Sequence, residues 1–194
     1  IAMRGPDAAG RFHDNVGGVE ILMLHRRLSV IDYAGGGQPM VSYENESPEM
    51  AMVFNGCIYN NAELRKELCS LGATFSSDHS DTETLFRAYE QWGSDCTDRV
   101  DGMYAFALWD RTALQLSLFR DPYGQKPLYI LDLGVAGDGC VFCSNPAPLQ
   151  KIANELGITK MSSLSLQKYL QLGYLTGNDT LIQPVQCVHQ KIVP

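Results

Sequence analysis

The sequence predicts an α+β fold built from antiparallel sheets, and three observations carry that prediction. Short apolar runs of strand length occupy both ends of the chain. Two segments with the apolar spacing of helices lie between them, after Asn60 and after Ser80. From Met103 onward, strand-like runs follow one another across turns. No helix-length segment separates them to carry a parallel crossover, so alternating βαβ units do not fit.

Taken in order, residues 1–18 are rich in Gly, Pro and Asp and read as loop with a short strand. Val19 to Val30 is a strand whose His25-Arg26-Arg27 carries polar groups to its far end. Residues 32–48 hold Gly35-Gly36-Gly37, Pro39 and Pro48 and read as a long loop. Met50 to Phe54 is an apolar strand that stops at Asn55-Gly56, by itself the commonest short turn signal. Asn60 to Glu63 has a capping-box pattern, with Leu64, Leu68 and Leu71 behind it and Gly72 as the stop. Ser80 to Glu83 repeats that start signal, followed by Leu85, Tyr89 and Trp92 and a stop at Gly93. Met103–Trp109, Leu114–Phe119, Pro127–Leu131 and Cys140–Cys143 are the later strands. Turns at Asp110-Arg111-Thr112, Asp121-Pro122-Tyr123-Gly124 and Gly134–Gly139 separate them. Pro146 breaks the last of these strands. Leu149–Leu156 and Ser162–Leu172 read as helices, and the final twenty residues as loop and strand.

Composition bounds the function. The 194 residues suit one globular domain, with 45% apolar and 19% charged side chains. A formal net charge of −7 argues against nucleic acid or an anionic membrane surface as partner. No apolar run reaches the roughly 18 residues a spanning helix needs. Ile1-Ala2-Met3-Arg4-Gly5-Pro6 has no leader-like apolar core and reads as interior sequence, and the expected compartment is the cytoplasm. Six cysteines are present; Cys140-x-x-Cys143 lies in a strand with no second pair or nearby histidine, so buried thiols are expected, not a metal or redox pair.

Several short motifs occur in one order: Arg4-Gly5-Pro6-Asp7, Arg27 to Asp32, Gly37-Gln38-Pro39, Asn55-Gly56-Cys57-Ile58-Tyr59-Asn60, Ser80 to Glu83, and Arg120 to Tyr129. Together they closely resemble the class II glutamine amidotransferase domain of the glutamine-dependent asparagine synthetase type. That resemblance implies an N-terminal-nucleophile hydrolase fold, a four-layer αββα sandwich of two antiparallel sheets flanked by helices. It also implies an activity, hydrolysis of glutamine to glutamate and ammonia for ATP-dependent amide synthesis.

Within the resemblance, the Asn55 side chain and the Gly56 N–H correspond to the oxyanion hole, donors placed where charge develops. Arg27, with Leu28 beside it, corresponds to the grip on the substrate α-carboxylate; a planar guanidinium suits that contact. Asp81 corresponds to the partner of the α-ammonium, although an acid in a helix's first turn is also favoured by the helix dipole. Arg26 is the better candidate for a surface ion pair. Arg4, Asp7, Arg120 and Asp121 are expected to brace the site.

This sequence departs from the pattern in places. The family nucleophile is a cysteine at the mature amino terminus, upstream of where Arg4 aligns; Ile1 has no nucleophilic side chain, and none of the six cysteines occupies that place. Cys57 stands where glutamate usually helps Asp81, which removes one anionic partner. Met3 replaces a frequent histidine. A Ser-Gly-Gly-x-Asp-Ser phosphate loop is missing, so ATP and Mg are expected only in a synthetase domain of the same polypeptide, and no cofactor or metal in residues 1–194. Expected partners are L-glutamine, that synthetase domain and a second copy in a homodimer. Two rivals stand beside this reading: a degenerate domain that binds glutamine or a protein without catalysis, and a related amidotransferase with another acceptor such as a sugar acid.

Overall fold

The computed structural model describes residues 5–28, 37–134 and 138–192. Arg4, residues 29–32 of the Arg27 motif and part of the Gly134–Gly139 turn lie outside the described residues. The chain divides into two compact units, the first ending at Ser117 and the second beginning at Leu118. All described strand pairs are antiparallel.

The first unit opens with a hairpin. β1 (Ala8–Val16) pairs with β2 (Val19–Arg27) from Ala8↔Arg27 to Val16↔Val19. Gly17 and Gly18 take φ of 59° and 82° in the turn between them, the two positive values a tight hairpin connection requires. The sequence reads residues 1–18 as loop with only a short strand, and β1 corrects it. Only Phe12 and Asp14 of β1 are buried, so its apolar period is too faint to see. The buried Asp14 is satisfied by Trp109 Nε1 at 3.0 Å and by Arg111 Nε at 3.2 Å.

β3 (Met40–Glu44) turns through Asn45 and Glu46, both at positive φ, into the twelve-residue β4 (Ser47–Ile58). Sequence assigned residues 32–48 to loop and only 50–54 to strand, and both limits move. β4 runs between β3 and β5 (Gly102–Asp110), and β5 is buried on both faces from Tyr104 to Trp109. Asn55-Gly56 is therefore strand, paired with Ala105 and Tyr104, and not a turn.

α1 (Asn61–Ser70) buries Leu64 and Leu68. Its expected capping box does not form. The Asn60 side chain instead donates to Arg99 O and accepts from Asp101 N, tying the helix start to the segment before β5. α2 (Asp81–Trp92) is capped by Ser80, whose Oγ accepts from Glu83 N at 3.3 Å. Glu83 does not complete the box; its carboxylate accepts from Ser76 N and Ser77 N at 2.6 and 2.7 Å. A 3₁₀ helix (Gly93–Asp98) follows. The core of this unit is formed by Met23, Met52, Phe54, Leu85, Phe86, Phe106, Leu108 and Trp109.

β6 (Gln115–Arg120) carries the chain into the second unit. There β7 (Tyr129–Asp132) lies between β8 (Cys140–Cys143) and β11 (Val185–Cys187). α3 (Pro146–Glu155) sets Leu149 and Ala153 against Leu131 and Val185. α3 begins earlier than its apolar pattern indicates. Pro146, which ends the strand, also suits a helix's first position, and Asn145 caps it at Ala147 N. β9 (Lys160–Met161) pairs with β10 (Ile182–Gln183), α4 (Ser163–Leu172) intervenes, and β12 (Lys191–Ile192) pairs with Phe119 and Leu118. Cys140 and Cys143 are half-buried at the two ends of β8, not buried as expected.

Candidate active site

β3 accompanies β4 only as far as Met40↔Met52, whereas β5 follows it to Ile58↔Gly102. From Val53 to Ile58, one edge of β4 has no strand beside it among the described residues. Two side chains take main-chain groups on that edge. Phe54 N–H donates to Gln38 Oε1 at 2.6 Å, and Ile58 N–H donates to Asp81 Oδ2 at 3.2 Å. Main-chain groups alternate between the edges of a strand. Gly56, midway between these two, therefore presents its N–H toward the same open edge.

Further side chains fix this edge. Phe54 O accepts from His25 Nε2 at 3.2 Å; a carbonyl only accepts, so Nε2 carries the proton. The other end of the Gln38 amide donates to Thr82 Oγ1 at 3.4 Å, next to Asp81. Gly56 itself is hemmed in: a Cβ there would lie 2.3 Å from Met103 O and 2.7 Å from the Phe54 ring. The glycine is required for space, since its φ is not positive.

Asp81 opens α2 and is 8% exposed. Burial pushes its carboxyl above the ordinary value, while the N–H groups of Ile58, Thr82 and Asp81 itself and the Arg27 charge pull the other way. His25 is lowered by burial, against the hydrogen bond to Phe54, and further by Arg27. Arg27 thus acts electrostatically on both groups. It is half-buried at the end of β2, where its carbonyl accepts from Asp7 N–H at 3.0 Å. Asn55 is exposed, Cys57 is half-buried, and Leu28 is 59% exposed. Among the described residues Arg26 makes no ion pair; its Nε donates to Gly5 O at 3.0 Å.

Of the residues the motifs single out, Gly56 and Asp81 meet along the open edge of β4, with Asn55 and Cys57 flanking Gly56 and the Arg27 charge acting on Asp81. A cation, an anion and a strand-edge N–H are what an α-amino acid's carboxylate, its ammonium and a developing oxyanion require. Arg120 and Asp121 brace a turn of the second unit. Arg120 donates to Lys126 O, Gly124 O and Val188 O, and Asp121 accepts from Gln125 N and Lys126 N. Among the described residues, no group of three or more His, Cys, Asp or Glu side chains could hold a metal ion. The sequence alone assigns no role to His25, Gln38 or Thr82. The available signal was that Gln38 lies inside a matching motif and His25 two residues before Arg27.

A family model described as a glutamine amidotransferase domain matches residues 1–192. The chain belongs to that family. Curated relatives include glutamine-hydrolysing asparagine synthetases. One from Bacillus subtilis is 39% identical over 93% of this chain and 26% of its own length. A putative one from Mycobacterium bovis is 37% identical over 94% and 28%. This amidotransferase domain thus spans about a quarter of the length of the curated relatives it matches. Glutamine phosphoribosylpyrophosphate amidotransferase from B. subtilis, solved with ADP and GMP, superimposes at a TM-score of 0.54 with 24% identity, over 70% of this chain and 29% of that one. That likeness establishes the α+β N-terminal-nucleophile hydrolase fold implied by the motifs.

Proposed function

We propose that this amidotransferase domain hydrolyses L-glutamine to L-glutamate and ammonia at the open edge of β4. The observation that supports it most is the placement of Gly56 N–H and the Asp81 carboxylate on one strand edge, within the field of Arg27. A thiolate adds to the side-chain amide carbon of glutamine, and the amide oxygen becomes an oxyanion. Gly56 N–H and the Asn55 amide donate to it while Asp81 and Arg27 hold the ammonium and carboxylate. The base that took the thiol proton returns it to the leaving nitrogen, collapse expels ammonia and leaves a thioester, and water releases glutamate and restores the thiol. By family resemblance the thiolate belongs to an amino-terminal cysteine whose own amine is the base. Burial and the Asp132 charge push the Cys140 thiol up, away from nucleophilic character, and Cys96 is fully buried.

Glutamate release by the full-length protein tests the reading. Asn55→Ala is expected to lower kcat about 10²–10³-fold with little change in KM, as loss of one oxyanion donor does elsewhere. A wild-type kcat in Asn55→Ala removes the oxyanion assignment. Cys57→Glu is expected to lower KM for glutamine by placing a second anion beside Asp81; an unchanged KM means that Cys57 does not face the substrate.

The wider reaction follows from the relatives being glutamine-hydrolysing asparagine synthetases. We assign the ammonia to ATP-dependent synthesis of asparagine, with ATP and Mg acting in a synthetase domain of the same polypeptide. A second copy of the chain and the cytoplasm complete the expected setting. No helix among the described residues is long and apolar enough to cross a membrane.

A further inference from the structure

The ladder along β4 continues past the end of β3, but with side chains in place of a strand. At Phe54 the rung is complete: Gln38 Oε1 accepts from the N–H at 2.6 Å and His25 Nε2 donates to the C=O at 3.2 Å. At Ile58 the N–H is closed by Asp81. Gly56 is the rung between them. Among the described residues, Gln38 links the Phe54 end of this gap to the helix that carries Asp81. Its oxygen accepts from the N–H of Phe54, the residue before Asn55, and its nitrogen donates to Thr82 Oγ1, next to Asp81. The approach is close enough that Gly10 must be glycine, because a Cβ there would sit 1.7 Å from Gln38 O. The Gln38 main chain is therefore fixed in place beside β1.

We infer that Gln38 is a positioning residue for glutamine hydrolysis, its amide setting the Asn55-Gly56 donors in register with the Asp81 subsite. The inference rests on the glutaminase reading. Gln38 touches no reacting atom; it acts through Phe54 and Thr82. Losing either contact lets the edge of β4 and the first turn of α2 shift relative to each other. A misplacement of about an ångström at donors aimed at a transition state costs on the order of a hundredfold. The defect belongs in kcat, because the carboxylate grip of Arg27 and the ammonium contact of Asp81 survive.

The test uses the full-length protein and compares Gln38→Met, Gln38→Glu and Asn55→Ala in glutamine hydrolysis, with thermal midpoints recorded for each. Gln38→Met keeps the length and removes both hydrogen bonds; its kcat is expected to fall about tenfold to a hundredfold with KM within about threefold of wild type. Gln38→Glu retains an acceptor for Phe54 N–H and is expected to recover part of that loss. A Gln38→Met enzyme that is thermally weakened but turns over at the wild-type rate overturns the inference, as does an absence of recovery in Gln38→Glu. Because Phe54 N–H is buried, Gln38→Met risks poor folding. In that event Thr82→Val, which removes only the acceptor for Gln38 Nε2, is expected to lower kcat several-fold at unchanged KM, and a wild-type kcat there counts against the inference. Asn55→Ala keeps the two readings apart. If it too leaves kcat unchanged, the glutaminase assignment of this edge has failed; if it alone lowers kcat, only the role of Gln38 has failed.

Discussion

Asp81 shows how a single residue can be held against its own solvation preference. Burial raises its folded value above the ordinary 3.8, so the folded protein binds the proton more tightly than the unfolded chain does. Its contribution to stability is accordingly a penalty, absent below the unfolded value and complete above the folded one. Asp81→Asn should raise the thermal midpoint at pH 7, because the neutral amide keeps an acceptor for Ile58 N–H without a buried charge. The same change should raise KM for glutamine at least tenfold, the cost of losing a charge-assisted contact to the ammonium. Calorimetry and steady-state kinetics on one preparation check both. Glu83 is the opposite case. Burial pushes it up, but hydrogen bonds from Ser76 and Ser77 and the Arg87 charge outweigh that and leave it below 4.5. Its stabilisation is present above pH 4.5 and lost as pH falls through the folded value. The place of Asp81 at the start of α2 was legible from its motif, since Ser-Asp-Thr-Glu is a helix start signal. Gln38 and His25 were not, because their importance lies in main-chain contacts 16 and 29 positions away.

β4 carries the same lesson for an element. Asn55-Gly56 reads as a turn because that pair is the strongest short hairpin signal. The strand continues because β5 pairs with it through Ile58, a tertiary fact that no local pattern contains. The glycine serves space and not turning, so Gly56→Ala has a definite expectation. With Met103 O at 2.3 Å and the Phe54 ring at 2.7 Å from the new methyl, the strand must shift, at a cost of about 1–3 kcal/mol in unfolding free energy together with a loss of turnover. At the start of α2 the local signal was accurate: Ser80 caps the helix, and Ser80→Ala should cost about 1 kcal/mol by chemical denaturation. At α1 the same signal placed the start correctly, with Asn60 at the N-cap position, but the Asn60 side chain bonds main-chain groups of Arg99 and Asp101 and does not cap the helix.

Across the molecule, fold class and helix positions were legible because the apolar periods are strong from Leu64 onward. β1 and β3 were not: β1 buries only Phe12 and Asp14, and β3 has no fully buried residue. α4 is a further departure from simple patterning. It buries Ser165 while Leu164, Leu170 and Leu172 stand 61%, 75% and 52% exposed. Leu170→Gln should therefore change the unfolding free energy by less than about 0.5 kcal/mol, as substitutions at exposed positions do. A larger loss in a denaturant titration of the chain would show that α4 packs its apolar side more closely than this.

The open edge beside Gly56 also has a kinetic signature in the resting protein. The N–H groups of Asn55 and Cys57 turn toward β5, and those of Phe54 and Ile58 are closed by Gln38 and Asp81. In deuterated solvent the Gly56 amide should lose its proton faster than its four neighbours, a single quick site inside a slow strand. A ligand that occupies the edge and accepts from that amide should bring it into line with the rest, so occupancy becomes readable at one atom without any turnover.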